Sequence, residues 1–223
     1  MKLEDAIISH LKSNSDAIEG TYQSSDDFIV IGGIALHCHM YECGLSPIIG
    51  THDADIVCGE NSFTYLRDEY AVTPTARMSK HEYKTVLPVG DSNQQVDVDV
   101  YFTFQHDLDI SDKEILDHAV VCNGVRCAHL VHLLILKVDN YLKFDGQKTS
   151  DKFKKVLHDI IQLIGLMEIN ETTSSLLKSN INQDRLEAVK EIANDNPEVY
   201  RTVCKLFEVQ CFSQRIDHIE KCA

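Results

Sequence analysis

Hydrophobic and polar positions divide this chain into two kinds of pattern. In the first half, short apolar runs alternate with helical segments. Residues 3–12 read as an amphipathic helix, and "DFIVIGG" reads as a buried strand ending on Gly32-Gly33. "IALHCHMYECG" predicts a short helix stopped by Gly44, and "DADIVCG" predicts the next strand. "NSFTYLRDEY" reads as a helix capped by Asn61 or Ser62. "HEYKTVLPV" and "QQVDVDVYF" alternate with period two and flank the turn signal "GDSN", so they predict a hairpin. "AVVCNGVRCA" carries Asn-Gly between β-type runs, the strongest short hairpin signal.

From about residue 128 the period changes to that of helices. The segments are "AHLVHLLILKVDNYLKF", "SDKFKKVLHDIIQLIGLM" with Ser150 as cap, "ETTSSLLKS", "NQDRLEAVKEIAND" and "PEVYRTVCKLFEVQCFSQRIDHIEK", with Pro197 in the first turn of the last. No internal repeat or low-complexity tract interrupts them. The expected fold class is α+β: a mixed β-sheet flanked by helices over residues 1–127, then a helical region over 128–223 that packs on it.

The 223 residues, 43% hydrophobic and 25% charged, suit an ordinary globular protein. No apolar run approaches the roughly 20 residues of a membrane helix, so no membrane partner is expected. The N-terminus lacks the uninterrupted apolar core of a signal peptide. Eight scattered cysteines suit reduced thiols in a cytoplasm better than a disulfide framework. A net charge of −14 repels phosphate backbones, and no DNA partner is expected. The best basic patch is "KFDGQKTSDKFKK", with a solvated helix start as the equal alternative.

The chemistry concentrates in acids. Asp53 and Asp55, at i and i+2 of a strand, share one face, and so do Asp97 and Asp99 in "VDVDVY", where Val96, Val98 and Val100 take the other face. Such crowding is costly unless a cation compensates it. Mg²⁺ compensates with few carboxylates plus substrate phosphates, and two such ions can hold the attacking and leaving oxygens of a phosphoryl transfer. Gly32-Gly33, at a strand-to-helix turn, would let a phosphate approach the backbone.

The order strand, Gly-Gly, helix, "DAD" strand, then a strand with hydrophobic-Asp-hydrophobic resembles the minimal nucleotidyltransferase fold of polymerase-β-like enzymes. It looks most like the AbiEii-type nucleotidyltransferases of toxin–antitoxin and phage-defence systems. "GGIAL" matches the family's Gly-Gly, and "THDADIV" matches its Thr-x-Asp-x-Asp. The resemblance spans residues 28–165. It implies that Asp53, Asp55 and Asp99 are catalytic and hold Mg²⁺ or Mn²⁺ with Asp97 as a further ligand. Gly32, Gly33 and Thr51 would bind a nucleoside triphosphate. The family's Leu-Leu-x-x-Lys lysine corresponds to Lys137 and its later aspartate to Asp159. Lys84 corresponds to a basic residue often near the site. Read without the family, Lys137 lies in the apolar stripe of its helix beside Leu130, Leu134 and Tyr141, so its ammonium needs an anion, either a triphosphate or Asp159. Asp159 itself reads equally as a surface acid.

The implied reaction transfers a nucleoside monophosphate to a hydroxyl on transfer RNA, a protein or a small molecule, with a cognate antitoxin as a further partner. The alternatives are an inactive nucleotide-binding or regulatory protein of the same fold, and a metal-dependent phosphodiesterase or nuclease. One departure bears on them: where the family often has Arg, two residues before the Thr, this chain has Ile49. His37, Cys38, His39 and Cys43 have zinc-ligand chemistry, but one helix does not present all four to one face. His52 reads as a loop histidine or a phosphate contact, and Cys204, Cys211 and Phe207 as core.

Overall fold

A computed structural model describes residues 3–75, 82–89, 94–103, 108–144, 149–195 and 212–223. The turn at 90–93, the Asp-Gly at 145–146, and Pro197, Cys204, Phe207 and Cys211 lie outside the described residues. The chain divides into two compact units, one of Met1–Glu42 with Gly50–His129 and one of Cys43–Ile49 with Leu130–Ala223.

The first unit is built on a seven-stranded sheet. Its elements are α1 (Leu3–Tyr22), β1 (Phe28–Ile31), α2 (Gly32–Glu42), β2 (Asp53–Cys58), α3 (Glu60–Glu69), β3 (Thr73–Pro74), β4 (Glu82–Val89), β5 (Gln94–Phe102), α4 (Asp112–Asp117), β6 (Val120–Cys122) and β7 (Val125–Cys127). The strand order is β3-β4-β5-β2-β1-β7-β6. β2 runs parallel to β5 and β1 parallel to β7; the remaining neighbours are antiparallel. The "FIVI" run is buried at all four positions, as an apolar strand covered on both faces requires.

The alternation read from the sequence decides which face meets the core. Ala54, Ile56, Val96, Val98, Val100 and Leu87 are at most 2% exposed. Ile7, His10 and Leu11 of α1 face Ala54, Leu87, Val96 and Val98. The β4–β5 hairpin pairs Glu82 with Tyr101 through to Val89 with Gln94. At the β6–β7 turn, Asn123 and Gly124 take φ of 52° and 74°, the pair of positive values that a tight hairpin of matching twist needs.

Two expectations change. α1 runs to Tyr22 rather than stopping at residue 12. The polar run "KSNSD" lies within the helix, where Ser13 Oγ and Asn14 Nδ2 donate to the carbonyls of Ser9 and His10, one turn back. Asn14 is buried, and the Tyr70 hydroxyl donates to its Oδ1 at 2.9 Å. α3 is capped by neither Asn61 nor Ser62; Gly59 is its N-cap and makes no side-chain cap. Ser62 is buried, and its hydroxyl donates to Asp27 Oδ1, tying the helix to the residue before β1.

The second unit is helical: α5 (Leu130–Leu142), α6 (Asp151–Leu166), α7 (Glu171–Asn180), α8 (Gln183–Asp195) and α9 (Phe212–Cys222). Ser150 caps α6 by accepting from Phe153 N–H, and Asn170 caps α7 by accepting from Thr173 N–H. Leu133, Leu134, Ile160, Ile161, Leu177 and Val189 are at most 1% exposed and form its core.

Ile56 on the central strand β2 is fully buried. Replacing fully buried Ile56 by Ala is expected to cost about 2–5 kcal/mol. Urea unfolding would show this as a lower midpoint with an unchanged slope.

Candidate functional site

Register, more than any single residue, builds the site. In the parallel pair β2–β5, Asp53 lies opposite Asp97 and Asp55 opposite Asp99. Paired strands are about 4.8 Å apart and opposed side chains share a face, so four carboxyl groups stand together on one side of the sheet. Asp53 and Asp97 are exposed, while Asp55 and Asp99 are half-buried. Ala54, Val96 and Val98 point the other way into the core and prevent a slip, because a one-residue shift would bury the acids.

Gly32 joins this acidic face to the end of β1. It takes φ of +68°, a conformation that costs other residues about 1–2 kcal/mol. A Cβ built there would lie 2.9 Å from Asp55 Cγ and closer still to Oδ2. The glycine therefore serves two purposes, turning the chain into α2 and leaving room for the Asp55 carboxyl group against the backbone. Gly33 follows in the first turn of α2, where N–H groups are free of helical partners.

Neighbouring groups hold the acids. The Thr51 hydroxyl, on a residue 1% exposed, donates to Asp53 Oδ1 at 2.7 Å. Lys84 on β4 lies directly across from Asp99, and its Nζ stands 2.9 Å from Asp99 Oδ1. His52, between Thr51 and Asp53, is exposed.

Among the described residues, no three or more His, Cys, Asp or Glu side chains are grouped closely enough to hold a metal ion by themselves. The donor set nevertheless fits a hard divalent cation. It is all oxygen, it lies on adjacent strands, and Mg²⁺ characteristically takes one or two carboxylates and completes its shell with water and substrate phosphates. Asp53, Asp55 and Asp99 are the residues that would hold it.

Lys137 and Asp159 lie in the helical unit, on α5 and α6. Lys137 Nζ stands 2.7 Å from Asp159 Oδ2, and the two side chains are 14% and 2% exposed. Of the two anions that the sequence allowed for Lys137, Asp159 is the one beside it, and Asp159 is not a surface acid. A second buried pair follows one half-turn along α5. Arg185 Nε and Nη2 donate to the two Asp139 carboxylate oxygens at 2.8 Å each, and Nη1 donates to the Asn180 carbonyl. Sequence reading missed Arg185, whose neighbours on α8 look like those of a solvated charge.

The cysteine and histidine residues of α2 meet partners far along the chain. His39 Nε2 donates to the Ala128 carbonyl at 2.9 Å, which leaves Nδ1 to accept from Cys122, whose Sγ is 3.3 Å away. Burial lowers the pKa of His39, against the opposing pull of the Ala128 carbonyl and Glu42. Cys38 is buried and Cys43 is exposed. Nothing in the sequence pattern signalled that Cys122 would come near α2.

An antigenic nucleotidyltransferase-like protein from Paracoccidioides brasiliensis has a similar solved structure, with a TM-score of 0.54 and 17% identity over 89% of this chain and 97% of the other. The fold is nucleotidyltransferase-like. JHP933 from Helicobacter pylori aligns over 88% of this chain and 82% of its own, at 14% identity and a TM-score of 0.40. No protein-family model matches the sequence, and no curated protein matches it. In this nucleotidyltransferase-like fold the glycine turn and the two Asp-x-Asp strands are neighbours, joined by the Gly32–Asp55 contact.

Gly32→Ala is expected to lower stability by about 1–3 kcal/mol through backbone strain and displacement of Asp55. Gly20→Ala, in α1 with open space around it, is expected to raise stability by about 0.5–1 kcal/mol. Thermal melts of the two variants check both signs. In the helical unit, Lys137→Met or Asp159→Leu alone should cost about 3–5 kcal/mol, and the double variant far less than their sum. A double-mutant cycle in urea measures the coupling.

Proposed function

We propose that this protein is a divalent-metal-dependent nucleotidyltransferase, moving a nucleoside monophosphate from a nucleoside triphosphate to a hydroxyl and releasing pyrophosphate. The observation that carries the reading is the seating of Asp55 against Gly32 while strand register sets it opposite Asp99. The fold supports the same class.

In this reading Asp53 and Asp55 hold Mg²⁺ or Mn²⁺, and Asp99 helps to hold the ion nearest the acceptor hydroxyl, with Asp97 beside it. When bound, the ions supply charge neutralisation for the triphosphate and acidify the acceptor hydroxyl. Thr51 fixes one rotamer of Asp53 through its hydrogen bond. Gly33 and the start of α2 offer N–H groups to phosphate oxygens. Most of the rate enhancement is then positioning and electrostatics. The role of Lys137 in neutralising the triphosphate, and the place of Asp159 in the nucleotide site, come from the family resemblance. So do an AbiEii-type place in a toxin–antitoxin or defence system, a cognate antitoxin and a cytoplasmic location. The charge of −14 favours a protein or small-molecule acceptor over transfer RNA.

A second reading is a nucleotide-binding or regulatory protein without turnover. Ile49 in the place of the family's Arg and the ion pair of Asp99 with Lys84 favour it.

The test incubates the protein with α-labelled nucleoside triphosphates, Mg²⁺ or Mn²⁺, and transfer RNA, protein and small-molecule acceptors. Label transfer should fall by about 10²-fold or more in Asp53→Ala, the scale of losing one charge-stabilising group. Transfer that survives the substitution overturns the role of Asp53. Calorimetric heat with nucleotide but no transfer to any acceptor selects the second reading.

A further inference from the structure

The geometry points to Lys84 as an internal cation that occupies the acid face in the absence of divalent metal and is exchanged for it. This inference deepens the metal-dependent reading and rests on it. Lys84 is placed by β4, directly across from Asp99, and its Nζ stands 2.9 Å from Asp99 Oδ1. That oxygen is shielded from solvent. On the other side of Asp99, strand register places Asp55, whose carboxyl group is seated against Gly32. The Lys84 ammonium thus sits at the edge of a row of negative charges that would otherwise repel one another across the strands.

Two features suit this cation to exchange rather than to permanent structure. The Lys84 side chain is 52% exposed, so its pairing with Asp99 is of the kind that contributes little to folding. The buried pair of Lys137 with Asp159, 14% and 2% exposed, is the contrasting permanent case. A lysine ammonium is also a monovalent point charge on a long stem. A divalent ion on Asp55 and Asp99 repels it with twice the charge, and the released ammonium stays within reach of phosphate oxygens gathered at the same face. Lys84 is then a positioning residue. It keeps Asp99 in place before metal arrives and meets the triphosphate afterwards, and no bond is made or broken in the exchange.

The measurements are Mn²⁺ binding to the full chain by electron paramagnetic resonance, and binding of inorganic triphosphate in saturating Mn²⁺ by calorimetry. Inorganic triphosphate keeps the choice of base out of the result. Lys84→Met should bind Mn²⁺ about fivefold more tightly than wild type, because the competing cation is gone. The same variant should bind inorganic triphosphate about fivefold more weakly. Lys84→Arg, which keeps the charge, should return both values toward wild type. These opposite signs exclude a merely structural role, in which both affinities would fall together. Mn²⁺ affinity in Lys84→Met that is unchanged or weaker overturns the inference, and so does unchanged triphosphate affinity. If wild type binds Mn²⁺ and Asp55→Ala abolishes it while Lys84→Met changes nothing, the exchange alone falls and the metal-dependent reading stands. If no variant binds Mn²⁺, both fall.

Discussion

Electrostatic repulsion along two adjacent strands is the constraint around which the sheet unit is arranged. Asp53, Asp55, Asp97 and Asp99 are held side by side because Ala54, Val96, Val98 and Val100 leave their strands no other register. Hydrophobic burial on one face thus enforces an unfavourable arrangement on the other. Each neighbouring device answers that cost locally: a hydroxyl on Asp53, an ammonium on Asp99, and a glycine without a side chain beside Asp55.

The helical unit handles charge differently. Lys137 with Asp159 and Arg185 with Asp139 are buried pairs whose partners are within hydrogen-bonding distance. Burial raises the cost of losing either partner of these pairs, which tie α5 to α6 and α8. Of the sheet's acids, by contrast, Asp53 and Asp97 are exposed and Asp55 and Asp99 half-buried.

Much of the fold was legible because local patterns carried it. The period-two alternation of "VDVDV" assigned both faces of β5, the Asn-Gly dipeptide marked the β6–β7 hairpin, and Ser150 marked the start of α6. What escaped was decided by distant partners. Neither "KSNSD" nor its neighbours shows that Tyr70, 56 residues away, satisfies a buried Asn14. Ser62 has the chemistry of a cap, yet Asp27 claims it. In the site itself, the strand-face pairing of the acids could be read from i and i+2 spacing. The parallel alignment of β2 with β5, Lys84 across from Asp99, and Cys122 against His39 depend on which strands become neighbours, which spacing within one segment does not encode.

The strict division between the two faces of β5 also has a bearing on how this protein can change over generations. Its valines hold the sheet together, whereas its aspartates weaken it by crowding. Replacing exposed Asp97 takes no packing from the core, whereas replacing Val96, Val98 or Val100 does, so random drift would meet less resistance on the acidic face. A stable sheet of this kind is therefore no measure of its acidic face, because the fold persists on the valine side whatever the acids do.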